Sequence, residues 1–599
     1  MPPKKPDMPP ARIQVQAIEP QIDCGRYPLK RTVGDRVDVA ATIFKDGHDV
    51  LGAEVRVRPP GGGREQAVPL EAVGVDRWEG TFAVDRPGRW TFAVAAWTDR
   101  IATWRDELRR KVDAGQTDLD GELVEGAVLL GVDELTVEQG LAADADDRHG
   151  EVVSAPLGVD VDRELARFGA WYELFPRSWG GFRGVARALP QLAELGFDVV
   201  YLPPIHPIGT TNRKGRNNAL VAAPGDVGSP WAIGSAEGGH DAIDPSLGSW
   251  DDFDAMIAAA RAAGVEIALD FAIQCSPDHP WLTAHPEWFN RRPDGTLKYA
   301  ENPPKRYQDI YNVNFESEDW RGLWQALLDV VLGWVERGVR VFRVDNPHTK
   351  PVPFWEWMIA EVRGEHPDVI FLAEAFTRPP MMTTLAKAGF AQSYTYFTWK
   401  NAKWELEEWM GQLLEWRDFY RPNAFANTPD ILHEYLQRGG PPAFEARLVL
   451  AATLSPSYGI YSGFERFENV PVQAGSEEYL DSEKYEAKQR SLDGALLPLV
   501  RRLNEIRRAE PSLQRLDSFR WLETENERLV ACVRGDVIVV VNIDPRGTQE
   551  GGCVVPVALG WPPAFEVSDL LGGERYLWRA GRNYVRLAPG KSHVLKVQA

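Results

Sequence analysis

The segment Arg340-Val-Phe-Arg-Val-Asp-Asn-Pro-His-Thr-Lys350 is the most informative part of this 599-residue chain. Its first residues, with 338 and 339, form a short apolar run, the pattern of a strand covered on both faces. Arg343 and Asp345 are two residues apart, so a strand points them to the same side, and Pro347 then ends the strand. A carboxylate and a guanidinium at the carboxyl end of a buried strand indicate barrel-enzyme chemistry. The alternative is a buried ion pair that only supports packing.

On both sides of this segment, from Phe168 onward, strand-like apolar runs alternate with helical runs. This alternation is typical of parallel strands connected by helices. Eight such runs predict an α/β fold, a (β/α)₈ TIM barrel. The predicted strands are 169–175, 197–202, 265–271, 339–345, 369–374, 393–397, 424–427 and 458–461, with helices such as 185–195, 250–263, 320–337 and 354–364 between them.

Other parts of the chain predict further domains. Residues 1–12 are rich in Pro and Lys and predict a disordered tail. Short alternating runs over 13–98 predict an N-terminal, Ig-like β-sandwich. Helical patterns follow and predict a small helical insert over 99–152. The catalytic barrel is then predicted over 153–510, with a loop excursion over its active face at 274–316, and alternating runs return in a C-terminal β-sandwich over 511–599.

Composition and charge restrict the possible functions. A formal net charge of −20 argues against nucleic acid as a partner, and an anionic substrate would need a local cationic pocket. The 22 tryptophans and 16 tyrosines suit sugar stacking, although core packing explains most of them. No apolar run approaches the length of a membrane span, about 18 residues, and no signal peptide is visible, which predicts a cytoplasmic protein. The four cysteines match neither a disulfide framework nor a metal spacing: Cys24, Cys275, Cys532 and Cys553.

Three acidic residues fall at the ends of predicted strands: Asp345, Glu374 and Asp430. Retaining glycosyl chemistry needs one carboxylate as nucleophile and a second as acid/base, about 5–5.5 Å apart. A third can stabilise an oxocarbenium-like transition state. Arg343 is expected to support the nucleophile by lowering its pKa, and apolar surroundings are expected to raise that of Glu374. For any one of the three, a local helix cap or ion pair is the alternative.

The order of these residues resembles that of the α-amylase superfamily. The matching features are the segment Phe342-Arg-Val-Asp345, a Glu that ends the next strand and an Asp after the seventh strand. Two positions depart from that pattern. At the end of the third strand, where the superfamily usually has Asn-His, this chain has Asp270-Phe-Ala-Ile-Gln-Cys275, and Pro429 stands where the superfamily usually has a His before the third Asp. Ordinary starch hydrolases are therefore a poor fit.

Longer segments resemble the α-1,4-glucan:maltose-1-phosphate maltosyltransferase family, from Phe168 to about Arg490. Matches of this length are more specific than three carboxylates. They are Trp171-Tyr-Glu-Leu-Phe-Pro-Arg-Ser178, His285-Pro-Glu-Trp-Phe289, Lys298-Tyr-Ala-Glu-Asn-Pro-Pro-Lys-Arg-Tyr-Gln-Asp-Ile-Tyr311, Val344-Asp-Asn-Pro-His-Thr-Lys-Pro-Val-Pro353, Phe371-Leu-Ala-Glu-Ala-Phe-Thr-Arg-Pro379, Asn427-Thr-Pro-Asp-Ile-Leu-His-Glu-Tyr435 and Gly475-Ser-Glu-Glu-Tyr-Leu-Asp-Ser-Glu-Lys-Tyr485.

The resemblance implies a role for each matching residue. Asp345 would be the nucleophile, Glu374 the proton donor and Asp430 the transition-state stabiliser. Phosphate contacts would fall on Asn302, Lys305 and Tyr307, and the physical argument agrees, since Lys305 and Tyr307 lie in the predicted excursion and supply a cation and a neutral donor. The implied donor-binding positions are Lys214, Gln274, Asp309, Asn346, Lys484 and Tyr485.

The implied reaction moves maltosyl units from α-maltose 1-phosphate to the non-reducing ends of α-1,4-glucans and releases phosphate. It proceeds through a β-maltosyl-enzyme and uses neither metal nor cofactor. The resemblance also implies a homodimer. Two alternatives remain: a hydrolase or trehalose-forming isomerase on the same scaffold, and a glucan-binding protein whose barrel has lost its activity.

Overall fold

The structure is a computed structural model that describes residues 9–145, 147–302 and 305–598. The side chains of Asn302 and Lys305 are outside the described part, as are residues 1–8 of the predicted tail. The chain divides into two compact units, Met1–Arg163 and Glu164–Ala599.

The first unit contains two β-sheets. One has the strand order β1-β3-β7-β6, and the other has the order β2-β10-β8-β4-β5, with β9 also paired to β8. Along β3 buried and exposed residues largely alternate, as expected for a strand with one face on a core. The strands are β1 (Gln14–Glu19), β2 (Leu29–Thr32), β3 (Arg36–Phe44), β4 (Leu51–Arg58), β5 (Gln66–Pro69), β6 (Glu71–Ala72), β7 (Arg77–Ala83), β8 (Gly88–Asp99), β9 (Arg148–Val153) and β10 (Leu157–Asp162).

A small helical segment separates β8 from β9. Asp99 ends β8 and caps the first helix, because its carboxylate accepts a hydrogen bond from the Ala102 amide at 2.8 Å. Trp104, Leu108 and Leu119 form the buried core of this segment. The helices are α1 (Arg100–Asp113), α2 (Asp120–Leu130) and α3 (Val137–Leu141).

The segment 148–162 differs from the prediction, which ended the helical insert at 152 and began the barrel at 153. In the structure β9 pairs antiparallel with β8, and β10 pairs with both β2 and β8. The chain therefore returns to the N-terminal sheets before the second unit begins at Glu164. Local pattern does not reveal this return, because the partners of β10 lie about 60 to 130 residues earlier in the sequence.

The second unit contains a closed barrel of eight parallel strands, in the order β11-β12-β13-β17-β18-β19-β20-β21. This confirms the predicted (β/α)₈ barrel, and each predicted strand overlaps an observed one. The strands are β11 (Gly169–Glu173), β12 (Val199–Leu202), β13 (Glu266–Phe271), β14 (Gln274–Cys275), β15 (Tyr299–Asn302), β16 (Lys305–Asn312), β17 (Val341–Val344), β18 (Ile370–Ala373), β19 (Gln392–Tyr394), β20 (Pro422–Phe425) and β21 (Ser457–Tyr461), of which β14–β16 form a separate antiparallel sheet in the excursion after β13.

Residue alternation along β17 explains why this largely apolar strand also presents charged side chains to the inside of the barrel. Val341 belongs to the core inside the barrel, whereas Phe342 and Val344 belong to the layer between the strands and the helices. Arg343 and Asp345 share the inward side with Val341. The helices that form the outer layer with their connections are α4 (Gly181–Glu194), α5 (Trp250–Ala263), α6 (Trp281–Ala284), α7 (Trp320–Glu336), α8 (Val352–Glu365), α9 (Pro379–Lys387), α10 (Lys403–Glu415), α11 (Glu434–Leu454) and α12 (Leu497–Ala509).

After α12 the chain forms an antiparallel β-structure with its own buried core. The strand order is β27-β26-β29-β24-β23-β22-β25-β28. The Tyr435 hydroxyl on α11 donates to the Ile543 carbonyl at 2.7 Å, which ties this domain to the barrel. The strands are β22 (Phe519–Thr524), β23 (Leu529–Arg534), β24 (Val537–Asn542), β25 (Gln549–Val555), β26 (Ala564–Asp569), β27 (Arg575–Arg579), β28 (Gly581–Leu587) and β29 (Ser592–Val597).

Candidate active site

One guanidinium organises the carboxyl end of the barrel. Arg343 Nη1 lies 2.9 Å from Asp270 Oδ2 and 2.9 Å from Asp345 Oδ1, and Nη2 lies 2.5 Å from Glu374 Oε1. All four side chains are buried. Charged groups in such a place are stable only when they are paired and hydrogen-bonded. Arg343 therefore holds Asp345 and Glu374 in fixed positions next to each other.

The two carboxylates are placed by neighbouring strands. The Asp345 amide donates to the Phe271 carbonyl at 3.1 Å, and the Glu374 amide donates to the Val344 carbonyl at 3.0 Å. Both residues therefore continue the hydrogen-bond ladder one residue past the assigned ends of β17 and β18. The predicted strand ends at Asp345 and Glu374 agree with the structure within the usual uncertainty of such boundaries.

Glu374 has the environment of an acid/base. Burial raises the pKa of Glu374 well above the usual value of a glutamate, and Asp345 and Asp430 raise it further, while Arg343 opposes the shift. The Asn346 amide also donates to Glu374 Oε2 at 3.3 Å. The shift favours the protonated form of Glu374, the form that a general acid needs.

Asn346 has a left-handed backbone conformation, with φ 41° and ψ 54°. Asparagine tolerates this region better than most residues. The turn directs the Asn346 amide to Glu374 and its side-chain Nδ2 to Asp345 Oδ2, at 3.5 Å. Asn346, a predicted donor-binding residue, thus contacts the carboxyl groups of both Asp345 and Glu374.

Asp430 lies beyond the seventh barrel strand and pairs with the buried ammonium of Lys484. Lys484 also lies 3.5 Å from Glu478 Oε2. Although burial alone would lower the pKa of Lys484, Asp430 and the other anions raise it above its usual value. Lys484 is therefore charged, and the structure brings it to the third carboxylate although 54 residues separate the two.

Three other predicted residues lie in the same electrostatic environment. Burial raises the pKa of Tyr307, and Lys484 and Asp430 are the charged groups that affect this pKa most, Lys484 lowering it and Asp430 raising it. Burial likewise raises the pKa of Tyr485, next to Lys484. Asp309 is buried, and burial raises its pKa too, partly offset by the charge of Lys214.

Of the remaining predicted residues, Gln274, Asn302 and Lys305 belong to the excursion after β13, whereas Lys214 lies in the loop between β12 and β13. Lys214 is buried near Asp309, and Gln274 begins β14, opposite Asn312 of β16. The side chains of Asn302 and Lys305 lie outside the described part of the structure, so their predicted phosphate contacts stay predictions.

Sequence reasoning missed several polar groups inside the barrel mouth. Glu173, at the end of β11, is buried, and its Oε2 has no hydrogen-bond partner among the described residues. Burial raises the pKa of Glu173, as it does that of Asp270, which also accepts a hydrogen bond from the Tyr201 hydroxyl at 2.5 Å. Both residues lie toward the carboxyl ends of their strands, β11 and β13. The same criterion predicted Glu374 from the sequence, and applied to these two strands it indicates Glu173 and Asp270 as well.

Buried carboxyl groups outnumber buried cations in this mouth. Four buried carboxyl groups, those of Glu173, Asp270, Asp345 and Glu374, surround the guanidinium of Arg343. Lys350 is a second buried cation near them, although burial lowers its pKa. The excess of carboxyl groups over cations is consistent with the raised pKa values of Glu173, Asp270 and Glu374.

Cys275 lies beside His240 and His279, with the potential metal-ligand atoms within 4.8 Å of one another. His240 Nδ1 lies 3.0 Å from His279 Nε2, and His240 Nε2 lies 2.9 Å from the Ala272 carbonyl. The Trp281 amide donates to His279 Nδ1 at 3.1 Å. Burial lowers the pKa of His240 to about 4 and that of His279 to about 2, so both rings are neutral, and every ring nitrogen is hydrogen-bonded without an ion.

The loops after the first two strands enclose a cavity of about 890 Å³. Arg177, Arg213 and Asp278 are among its lining residues, but none of the predicted site residues lines it. Among the described residues, no helix has the length and apolar character needed to cross a membrane.

Comparison with known proteins identifies the family. A family model described as "Alpha-1,4-glucan:maltose-1-phosphate maltosyltransferase, domain N/S" matches residues 11–168, and one described as "GLGE, C-terminal" matches residues 523–597. A Streptomyces coelicolor protein named alpha-1,4-glucan:maltose-1-phosphate maltosyltransferase 2 is 51% identical, over 98% of this chain and 96% of its own. The chain belongs to the α-1,4-glucan:maltose-1-phosphate maltosyltransferase family.

Other members confirm the resemblance predicted from the sequence. The proteins of that name from Mycolicibacterium smegmatis and Mycobacterium tuberculosis are 49% and 45% identical, each over 98% of this chain and over 97% and 96% of their own chains. Because the matches run through nearly the whole length, the family assignment covers the barrel and both flanking regions. The domain N/S match ends close to the boundary at Glu164.

Solved structures of more distant proteins share the fold. An α-amylase from Lactobacillus plantarum superposes with a TM-score of 0.57 at 23% identity, over 73% of this chain and 100% of its own. A maltogenic α-amylase from Thermotoga neapolitana gives a TM-score of 0.58 at 18% identity, over 73% of this chain and 100% of its own. These likenesses show that the chain shares the fold of these structures over about three quarters of its length.

Proposed function

We propose that this protein is a retaining maltosyltransferase that transfers maltosyl units from α-maltose 1-phosphate to the non-reducing ends of α-1,4-glucans and releases phosphate. The observation that carries the proposal is the bridge from Arg343 to Asp345 and Glu374. Because one guanidinium contacts both carboxyl groups, the two groups lie close together. This favours the distance of about 5–5.5 Å between the carboxyl groups of retaining enzymes, and not the distance of about 6.5–9.5 Å found in inverting enzymes.

In the first step Asp345 attacks the anomeric carbon and the bond to phosphate breaks. Glu374, protonated because burial raises its pKa, gives its proton to the departing phosphate oxygen. Asp430 stabilises the positive charge that develops on the sugar ring. In the second step Glu374 takes the proton of the acceptor 4-hydroxyl, which attacks the β-maltosyl-enzyme and releases Asp345.

The donor phosphate needs a local cationic site in a chain of net charge −20. Lys484 supports this role, since it is buried and charged beside Asp430 and Tyr307. We further propose that Lys214, Gln274, Asp309, Asn346 and Tyr485 bind the donor sugar and that Asn302, Lys305 and Tyr307 contact its phosphate. Family membership and the shared environment of Lys484, Tyr307 and Asp309 support these roles.

The test measures phosphate release from α-maltose 1-phosphate with and without maltohexaose, and the lengths of the glucan products. We expect release that depends on the acceptor, with products longer by two glucose units. Asp345→Asn should abolish release, while the control Asp368→Asn, whose carboxylate pairs with Arg340 in a more exposed place, should leave it unchanged. A folded wild-type protein that releases no phosphate refutes the donor assignment. Free maltose or trehalose as the main product would instead favour a hydrolase or an isomerase.

We also propose a cytoplasmic homodimer. Family resemblance supports the dimer, and the four free cysteines, three of them buried, suit a reducing compartment. Light scattering coupled to size-exclusion chromatography measures the mass directly. A mass of about 67 kDa, that of one chain, would contradict the dimer.

A further inference from the structure

Glu173 is a buried acid of the barrel mouth that the proposed mechanism does not use. It ends β11, where it is the strand neighbour of Tyr201 on β12 and of Tyr461 on β21. Trp171, two residues earlier, belongs to the core inside the barrel, so Glu173 points inward as well. Glu173 is 2% exposed. Its carboxyl group therefore lies inside the barrel, on the side that Arg343 also faces.

Charged and titratable groups from several elements surround Glu173. The charge of Arg343, on β17, favours the ionised form of Glu173, whereas the neighbouring carboxylates oppose it. The groups that interact electrostatically with Glu173, besides Arg343, are Asp270 of β13, Asp430 beyond β20, Glu483 and Tyr479 beyond β21, Tyr201 of β12 and Tyr394 of β19. Among these groups, carboxylates outnumber the cation.

The neighbouring carboxylates each have a cation of their own. The pairs are Asp270 with Arg343 at 2.9 Å, Glu483 with Arg490 at 2.6 Å, and Asp430 with Lys484. Glu173 differs from them, because the ion pairs of Arg343 in the described part of the chain do not include it, and its Oε2 has no hydrogen-bond partner there. A buried carboxylate without a cation or a donor is costly, and such a group takes up a proton instead.

The guanidinium of Arg343 has a donor that no described group uses. Its Nη1 contacts Asp270 and Asp345, its Nη2 contacts Glu374, and its Nε is buried without a partner among the described residues. An ionised Glu173 would compete with the other carboxyl groups for this cation, and Nε is the donor open to it. A protonated Glu173 does not compete. The proton on Glu173 therefore preserves the contacts of Arg343 with Asp345 and Glu374.

We propose that Glu173 is a positioning residue that acts as an uncharged carboxylic acid, and that loss of its proton disrupts the bridge from Arg343 to Asp345 and Glu374. At alkaline pH the proton passes to solvent hydroxide, and the guanidinium turns toward the new carboxylate. Asp345 and Glu374 then lose their common partner, and turnover falls. The inference rests on the proposed function for this kinetic consequence, and on the buried cluster alone for the charge of Glu173.

Two neutral variants test this role, and a third variant serves as a matched control. Glu173→Gln keeps the shape of the side chain without its charge, and Glu173→Met keeps the length without polar atoms. The control is Glu465→Gln, since Glu465 is a buried acid that accepts hydrogen bonds from the Tyr172 hydroxyl and the Gly463 amide, each at 3.0 Å. Tyr172 belongs to the layer outside the barrel strands, so this acid lies away from the mouth.

Phosphate release from α-maltose 1-phosphate, with saturating maltohexaose, is measured from about pH 6 to about pH 10, and a return to neutral pH shows that each loss is reversible. In the wild type both Glu173 and Glu374 must hold a proton, so log kcat/KM should fall at alkaline pH with a slope approaching about −2. In the neutral variants Glu374 remains as the titrating acid, and the slope should be about −1. Glu465→Gln should keep the slope of the wild type.

At about pH 7, Glu173→Gln should keep kcat/KM within about twofold of the wild type, because it replaces one uncharged group by another. A large loss of activity in folded Glu173→Gln at this pH overturns the inference, since it would mean that the charge is needed. An unchanged alkaline slope in the neutral variants overturns it as well. If neither neutral variant folds, the inference is also wrong, because it requires that an uncharged side chain fits at this position.

Calorimetry tests the charge of Glu173 without any substrate. Burial raises the pKa of Glu173, so above about pH 4 the folded state keeps a proton that the unfolded chain releases, and the stability of the wild type falls as pH rises. Glu173→Gln lacks this loss. Its melting temperature relative to the wild type should therefore rise by about 1.5 °C per pH unit, the effect of one proton on a unit of the size of Glu164–Ala599. A difference that does not change with pH overturns the inference. If the difference does change but the wild type releases no phosphate, the proposed function alone fails.

Discussion

Replacing Arg343 by methionine removes a cation of the barrel mouth while keeping an unbranched side chain. Three buried carboxyl groups lose their hydrogen bonds to the guanidinium, those of Asp270, Asp345 and Glu374. Removal of one partner of a buried ion pair costs about 3–5 kcal/mol, because it leaves a charge without compensation. The three groups share one partner, so we expect a loss of this size for the cluster and not three times as much.

The corresponding change in melting temperature follows from the size of the unit. The unit Glu164–Ala599 has roughly 440 residues, and an unfolding entropy of about 2.1 cal/mol/K per residue gives about 0.9 kcal/mol/K. The expected loss is therefore about 3–6 °C in the calorimetric transition of this unit. Phosphate release should fall as well, because Arg343 contacts both the proposed nucleophile, Asp345, and the proposed acid/base, Glu374.

The dependence on pH distinguishes lost charge pairing from lost packing. Burial raises the pKa values of Asp270 and Glu374, and Arg343 opposes the rise, so removing Arg343 raises both further. In the unfolded chain these groups titrate near about pH 4. Between that pH and the raised folded values the folded state binds more protons, so the stability of the variant falls as pH rises. The melting difference from wild type should be smaller at about pH 5 than at about pH 7.5.

The control is Arg183→Met, which breaks an exposed pair with Asp252. Exposed pairs contribute little, so its melting temperature should match the wild type within the scatter of replicate scans. An Arg343→Met variant that melts like the wild type, or one with the same loss at both pH values, contradicts the role of Arg343 as the cation that compensates the buried carboxylates.

Three further predictions concern other groups. Because burial raises the pKa of Glu374, kcat/KM for phosphate release should stay constant through neutral pH and fall only on the alkaline side; a decline starting near the usual glutamate pKa would argue against Glu374 as the acid. Lys484→Met should lower kcat/KM for α-maltose 1-phosphate by about tenfold or more, since it breaks the pair with Asp430, and in a double-mutant cycle with Asp430→Asn the two effects should not add. A thiol reagent should modify Cys24 in the folded protein and all four cysteines after denaturation, because the other three are buried; rapid modification of more than one thiol in the folded state contradicts this burial.

Much of the barrel, and the positions of carboxylates at its strand ends, is predictable from local pattern. Apolar runs of strand length, alternating with amphipathic helices, mark the eight strands, and residues two apart on a strand share a side. These rules place Arg343 beside Asp345, as the structure confirms with an Nη1–Oδ1 distance of 2.9 Å. The rule that chemistry lies at strand ends selects Glu374 as well. The same rule also selects Glu173 and Asp270.

Several features depend on contacts between distant segments. Lys484 reaches Asp430 across 54 residues, and Arg343 reaches Asp270 across 73. The pairing of β10 with strands of the N-terminal sheets is likewise a contact between distant segments. None of these pairings leaves a periodic trace in the sequence, because each depends on how complete elements pack.

For this protein, the sequence by itself determined the (β/α)₈ class, the carboxylates at the strand ends and the family. These features depend on periodicity, turn residues and long segments that match the family, all of which are local properties of the chain. Only the tertiary structure decided how charge is distributed among those groups. The guanidinium that joins Asp345 to Glu374 and the burial that raises the pKa of Glu374 arise when separate strands and loops meet. A pKa or a cavity depends on the three-dimensional surroundings of a side chain, and the closure of the barrel creates those surroundings.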